Sequence, residues 1–337
     1  MEEAIAQYLR PRLAAADLVI TDLWRIPGGA SRETWMFTAS WDGGRKRQDF
    51  VLRKDPPASL LDTDRETEYA YYSSFAGTAV PVPVMRWLEP DGSHLGGPFF
   101  VMERIHGGET APATLQTEAY RPAHARVAKR MYETLAAIAT FDWTASAIAK
   151  VAEAPALDAS WERELAHWER IIDENELSPQ PIMRAGIRYL RANPPKPAQR
   201  ISVVHGDYRV GNVMYTLAGE IIGVLDWEMA HLGDPLEDLA WSMNESWQWS
   251  NKDGRPGGIV TVEECCRIWS EASGLTVDPE SLRWWRIFCD IKCQGIWLTG
   301  TKSFNDGRTR ELILPVISYM LVNSQDEALL RSMGRGA

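Results

Sequence analysis

The chain has 337 residues, 45% of them apolar and 24% charged, the mix of an ordinary soluble globular protein with a sizeable core. Its 36 Lys and Arg against 46 Asp and Glu leave a net charge of −10. That excludes a general nucleic-acid binder, which needs a basic footprint to displace phosphate counterions. No apolar run reaches the roughly 18 residues that span a bilayer; the longest, Leu312 to Val322, is broken by Pro315 and Ser318.

The N-terminus, Met1-Glu-Glu-Ala-Ile, is acidic where a signal peptide would be basic. Residues 1–20 read as a short amphipathic helix with Ile5, Leu9 and Leu13 at four-residue steps, interrupted by Pro11. Leu23 to Arg53 is β-rich: Trp35, Phe37 and Ala39 alternate with more polar neighbours after a turn at Pro27–Ser31. Asp42-Gly43-Gly44 is a hairpin signal leading into Phe50-Val51-Leu52-Arg53, and Pro56-Pro57 ends that strand. Tyr69, Tyr72 and Phe75 recur at helical spacing before Gly77, and Pro98 to Glu103 is a buried strand. Past Gly107-Gly108 the pattern turns helical, at Arg126–Phe141, Trp161–Ile172 and Ile182–Ala192. A Pro-rich linker, Asn193 to Pro197, precedes the apolar strand Ile201–Val204. A small β-rich lobe followed by a larger helical one is the expected architecture.

The most informative stretch is Val204-His205-Gly-Asp207-Tyr-Arg209-Val-Gly-Asn212, then Ile222-Gly-Val-Leu-Asp226-Trp227-Glu228. The apolar strand delivers His205 and Asp207 to its end, and a hairpin over Val213–Leu225 returns the chain so that Asp226 can meet Asn212. Two hard oxygen ligands near a carboxylate base suit phosphoryl transfer, because Mg²⁺ takes oxygen ligands and an Asp accepts the proton of the attacking hydroxyl.

Together with Gly233-Asp234-Pro and Asp238-Leu-Ala, these motifs resemble the aminoglycoside phosphotransferase and choline kinase family over about Trp24 to Trp241. Asp-Tyr-Arg-x-Gly-Asn and Leu-Asp-Trp-Glu look closest to a branch that includes the kinase-like domain fused to some acyl-CoA dehydrogenases. The resemblance implies an α+β, protein-kinase-like fold, with a nucleotide-binding lobe at 1–104 and a catalytic and acceptor-binding lobe at 105–337. It makes Asp207 the base, Asn212 and Asp226 the metal-binding positions, and Arg209 a cation facing the transferred phosphate. His205 would fix the loop through hydrogen bonds. Gly28, Gly29, Ala30 and Ser31 resemble the phosphate-covering turn. Arg53 stands at the strand Lys that binds the α- and β-phosphates, with Glu68 its helix partner and Glu66 the competitor. Glu103 and Ile105 match the hinge that reads adenine. ATP and Mg²⁺ are the implied cofactors. The partner is a small-molecule hydroxyl acceptor, with neither nucleic acid nor membrane involved.

Other residues take blander readings. Cys289 and Cys293, four apart on one helix face, and Cys265-Cys266 read as core thiols, and four cysteines are too few for a disulfide framework. A reducing cytoplasm fits. Trp284, Trp285 and Trp297 read as core, and Asp234 and Asp238 as helix caps. The leading function is an ATP-dependent O-kinase; residues 281–337, net basic around Lys302, Arg308 and Arg310, argue for an anionic acceptor, and the branch resemblance implies a hydroxy acid or hydroxyacyl-CoA. An aminoglycoside kinase, a nucleotide-binding pseudokinase and a metallophosphoesterase are the alternatives.

Overall fold

Alternation along the third strand organises the first lobe. In the computed structural model, which describes residues 1–26, 33–55, 65–248 and 254–334, α1 (Glu2–Leu13) is followed by β1 (Val19–Arg25), β2 (Glu33–Trp41) and β3 (Lys46–Lys54). Then come α2 (Arg65–Ser74), β4 (Met85–Glu89) and β5 (Phe99–Glu103). The five strands form one antiparallel sheet in the order β1-β2-β3-β5-β4. Phe50 and Leu52 of β3, with Phe99 and Val101 of β5, pack with Ile5, Tyr8 and Leu9 of α1. Val51, Phe100 and Met102, one residue out of step, face the other way and join the core that continues into the second lobe. Arg53 shares the parity of Val51. Pro11 does not end α1 but lies within its last turn, where it removes the one ladder bond to the Gln7 carbonyl; Ala14 then closes the helix in the left-handed region. The turn at 27–31, Pro56-Pro57 and the start of the Asp62 segment lie outside the described residues.

The second lobe begins with α3 (Pro112–Leu115), α4 (His124–Thr140), α5 (Ile148–Val151), α6 (Ser160–Asn175) and α7 (Pro181–Ala192). In α4, Val127, Ala128, Met131, Tyr132, Leu135, Ala136 and Ala139 form one buried stripe at the 3.6-residue period. β6 (Ser202–Val204), β7 (Val213–Tyr215), β8 (Ile221–Val224) and β9 (His231–Gly233) make two small antiparallel pairs, β6 with β9 and β7 with β8. The chain closes with α8 (Leu236–Ser242), α9 (Val262–Ser273), α10 (Pro279–Asn305) and α11 (Ile313–Ser332). Trp284 and Trp285 are buried, as are Cys265, Cys289 and Cys293, with no disulfide among them; Cys266 and Trp297 are half-buried. No helix among the described residues is long and apolar enough to cross a membrane.

Candidate active site

The loop after β6 is held from all sides. Gly206 adopts φ +82°, and a Cβ there would collide with the Met229 carbonyl, so only glycine fits. Asp238 of α8 accepts the backbone N–H groups of His205 (2.6 Å) and Gly206 (2.9 Å). Its carboxylate therefore grips this loop rather than capping its own helix. Asp234 does act as a cap: it accepts the N–H of Leu236 (2.9 Å) and, on its other oxygen, the indole N–H of Trp285 (3.1 Å). Burial pushes both carboxyls up to about 6.

His205 is fully buried, and burial pushes its imidazole down to about 4, so it is neutral. Its Nδ1 accepts the N–H of Asp207 (3.2 Å), which leaves Nε2 to donate to the Leu225 carbonyl (2.9 Å). The ring thus ties the Asp207 loop to the segment before Asp226, and Trp227 packs on it at 4.6 Å between centroids.

The Asp207 carboxylate receives donors on both oxygens. Trp241 Nε1 (2.7 Å) and Arg209 Nε (2.9 Å) reach Oδ1, and Asn212 Nδ2 (2.6 Å) reaches Oδ2. The Arg209 guanidinium lies over the Trp247 ring, 4.5 Å from its centroid. Asn212 also donates to the Asp207 carbonyl (2.9 Å), and its own carbonyl accepts the N–H of Leu225 (2.7 Å). The hairpin of β7 and β8 thereby brings Asn212 against the residue preceding Asp226.

Asp226 has φ +69°, a left-handed conformation that Asp tolerates better than most residues. Its N–H donates to the Tyr72 hydroxyl (2.7 Å) and its carboxylate accepts Arg53 Nη2 (2.7 Å). Burial opposes ionisation, but the Arg53 charge and hydrogen bond outweigh it and hold the carboxyl below its ordinary value. The same nitrogen of Arg53 meets Glu228 (3.2 Å), and Arg53 Nε lies 3.3 Å from Glu68, an ion pair without hydrogen-bond alignment. Glu68 is shared with Arg65, which also pairs with Asp55 (2.9 Å). Lys54, on the opposite face of β3, pairs with Glu33 (3.2 Å).

At the edge of β5, Glu103 accepts Arg86 Nε (2.7 Å) and donates its N–H to the Val84 carbonyl (2.9 Å). Ile105 packs beside Gly223, where a Cβ would stand 2.8 Å from Ile105 Cδ1. Gly28, Gly29, Ala30 and Ser31 lie outside the described residues. The structure thus gathers Arg53, Glu68 and Asp226 into one cluster, and Asp207, Arg209 and Asn212 into another. Sequence reasoning missed Trp241, Tyr72 and Glu228 as parts of these clusters. Aromatic spacing marks Trp241 and Tyr72 as core; only their polar tips signal a second role.

Residues 22–271 match the model of the phosphotransferase enzyme family. The chain belongs to that family. This phosphotransferase has a kinase-like fold, an antiparallel-sheet lobe followed by a helical one. It is 27% identical over 287 residues to acyl-CoA dehydrogenase family member 10 of Mus musculus, covering 81% of this chain and 26% of that protein. It is 27% identical over 271 residues to family member 11 of Homo sapiens, covering 73% of this chain and 34% of that protein. The phosphotransferase chain therefore spans about a third or less of the length of these two relatives. A solved structure from Ralstonia eutropha, named for the aminoglycoside phosphotransferases, superposes with a TM-score of 0.76 at 21% identity, covering 99% of this chain and 98% of that one. A mutant of aminoglycoside phosphotransferase APH(4)-Ia, bound to AMP-PNP and hygromycin B, superposes with a TM-score of 0.59 at 17% identity, covering 98% of both chains.

Proposed function

We propose that the protein transfers the γ-phosphoryl group of ATP to the hydroxyl of a small molecule, with Asp207 as general base and Asn212 and Asp226 as magnesium ligands. The observation that carries this reading is the way Asn212 is held. Its amide nitrogen is committed to Asp207 (2.6 Å) and its backbone carbonyl to Leu225 (2.7 Å), which leaves the amide oxygen as a hard donor beside the segment bearing Asp226. One amide oxygen and one ionised carboxylate fit Mg²⁺, which keeps positions for water and phosphate. When bound, the ion neutralises charge on the β- and γ-phosphates.

The protein's own groups do the rest. Two donors fill the acceptor sites of Asp207 Oδ1 and one occupies Oδ2, so the remaining lone pair on Oδ2 takes the proton of the attacking hydroxyl. Arg53 exchanges its contact with Asp226 for the α- and β-phosphates, and Glu68 keeps its guanidinium aimed. The phosphate-covering turn falls by resemblance to Gly28, Gly29, Ala30 and Ser31, which lie outside the described residues. The Glu103 carbonyl and the Ile105 N–H read the adenine edge. Arg209, spread over Trp247 beside the base, faces the phosphoryl group in flight.

The acceptor class we propose is an anionic hydroxyl compound, a hydroxy acid or hydroxyacyl-CoA. The acyl-CoA dehydrogenase names of the curated relatives support it, as does the Arg209 cation next to the base. The late basic residues support it less, because Lys302 (2.9 Å) and Arg308 (3.4 Å) are paired with Asp306. The structural neighbour holding hygromycin B favours an aminoglycoside acceptor instead. The test offers hydroxy acids, hydroxyacyl-CoA thioesters and aminoglycosides side by side with Mg-ATP. Turnover of an anionic compound that weakens as salt screens the attraction is expected. Efficient phosphorylation of an aminoglycoside, with none of any anionic hydroxyl, overturns the acceptor class, and no transfer to any hydroxyl overturns the reaction.

A further inference from the structure

Beneath the loop lies a row of buried charges that this reaction does not use directly. Lys292, 1% exposed in the middle of α10, donates to the Gly206 carbonyl (2.6 Å) and to Glu237 Oε1 (2.9 Å). Its ammonium also lies 4.7 Å from the centroid of the Trp241 ring. The other oxygen of Glu237 meets His231 Nε2 (3.1 Å), which stands 3.6 Å from Glu164. Glu164, His231 and Glu237 are close enough together to hold a cation. The Lys292 ammonium already sits on Glu237, however, so a metal would meet a fixed positive charge.

Two of the Lys292 contacts converge on Asp207. The Gly206 carbonyl belongs to the peptide that ends in the Asp207 N–H, and the Trp241 indole holds Asp207 Oδ1 (2.7 Å). Glycine at φ +82° has little steric lock of its own, so the orientation of this peptide depends on its hydrogen bonds. His205 Nδ1 accepts its N–H, that of Asp207 (3.2 Å), and Lys292 holds its carbonyl by the shorter bond (2.6 Å). We infer that Lys292 is a positioning residue for Asp207: it locks the Gly206–Asp207 peptide, seats the Trp241 ring, and so sets the angle at which the base meets the acceptor hydroxyl. The inference rests on the reading of Asp207 as the base.

The test compares wild type with Lys292→Met and with Lys292→Met/Glu237→Gln, the double variant leaving no buried carboxylate without its partner. Phosphorylation of the acceptor found by the panel, and ATP hydrolysis with water as acceptor, should both lose about 10- to 100-fold in kcat, with KM for ATP changed by less than about twofold. Amide exchange at residues 205–207 should quicken by about tenfold or more while exchange in α4 stays as it was. Glu164→Gln, at the far end of the row, should lower the melting temperature and keep kcat. A lysine that only supports the fold would lower the melting temperature while leaving kcat per folded molecule and exchange at 205–207 unchanged; that result overturns the inference. A wild type that neither transfers nor hydrolyses the γ-phosphate defeats the reading of Asp207 as base, whereas the exchange measurement still decides whether Lys292 locks the loop.

Discussion

Asp207 and Asp226 are both carboxylates near the same hairpin, yet their surroundings differ, which supports the separate roles proposed for them. Asp207 is held by side chains of its own lobe, whereas Asp226 is clamped by Arg53 from the sheet lobe. Asp207→Asn should lower kcat by about 10²- to 10⁴-fold, the usual worth of a general base, with the affinity for Mg-ATP near wild type by calorimetry. Asp226→Asn should weaken Mg²⁺-dependent nucleotide binding as well as the rate. Asn accepts the left-handed conformation at this position, so the loss would not come from backbone strain. An equal binding defect in the two variants would show that the division of labour is wrong.

At the scale of the element, α10 shows why some segments resist reading. Over its 27 residues Trp284, Trp285, Ile287, Phe288, Cys289, Ile291 and Cys293 are all buried, and Arg283, Arg286 and Asp290 leave only a narrow polar edge, so no clear apolar stripe stands out. Only its start carries a local signal. Asp278 Oδ2 accepts the N–H of Ser281 (2.9 Å), while Oδ1 accepts Lys196 Nζ (2.5 Å). The Lys196 hydrogen bond, followed by that of the Ser281 N–H, holds the Asp278 carboxyl down at about 2. Asp278→Ala should cost about 1 kcal/mol in urea unfolding, the typical worth of such a cap. Its kcat should stay within about twofold of wild type, because the cap lies several turns from Lys292.

Across the whole molecule, the row from Glu164 to Lys292 links α6, β9, α8 and α10 beneath the site. Burial disfavours a charged His231, but Glu164 and Glu237 outweigh it and raise the imidazole to about 9. A histidine raised above its unfolded value near 6.5 contributes stability that is complete below that value and is lost as pH rises through the folded one. Unfolding free energy should therefore fall by about 2 kcal/mol between pH 7 and about 9.5, and His231→Gln should flatten that slope. Denaturant titrations of both proteins across this range check it; parallel slopes would remove His231 as the cause.

What the sequence determined by itself was local. Strand alternation puts Arg53 and Lys54 on opposite faces of β3, and the Asp-x₄-Asn and Asp-Trp-Glu runs put oxygen-bearing residues at the ends of short strands, because both patterns depend only on neighbours along the chain. The tertiary structure decided the partners. Asp238 serves a loop more than thirty positions earlier, Tyr72 accepts the N–H of Asp226, and Lys292 reaches Gly206 from α10. Nothing local distinguishes these residues from a cap, a core aromatic or a surface lysine. Their roles arise only when burial removes water and leaves each polar group to find its complement across the fold.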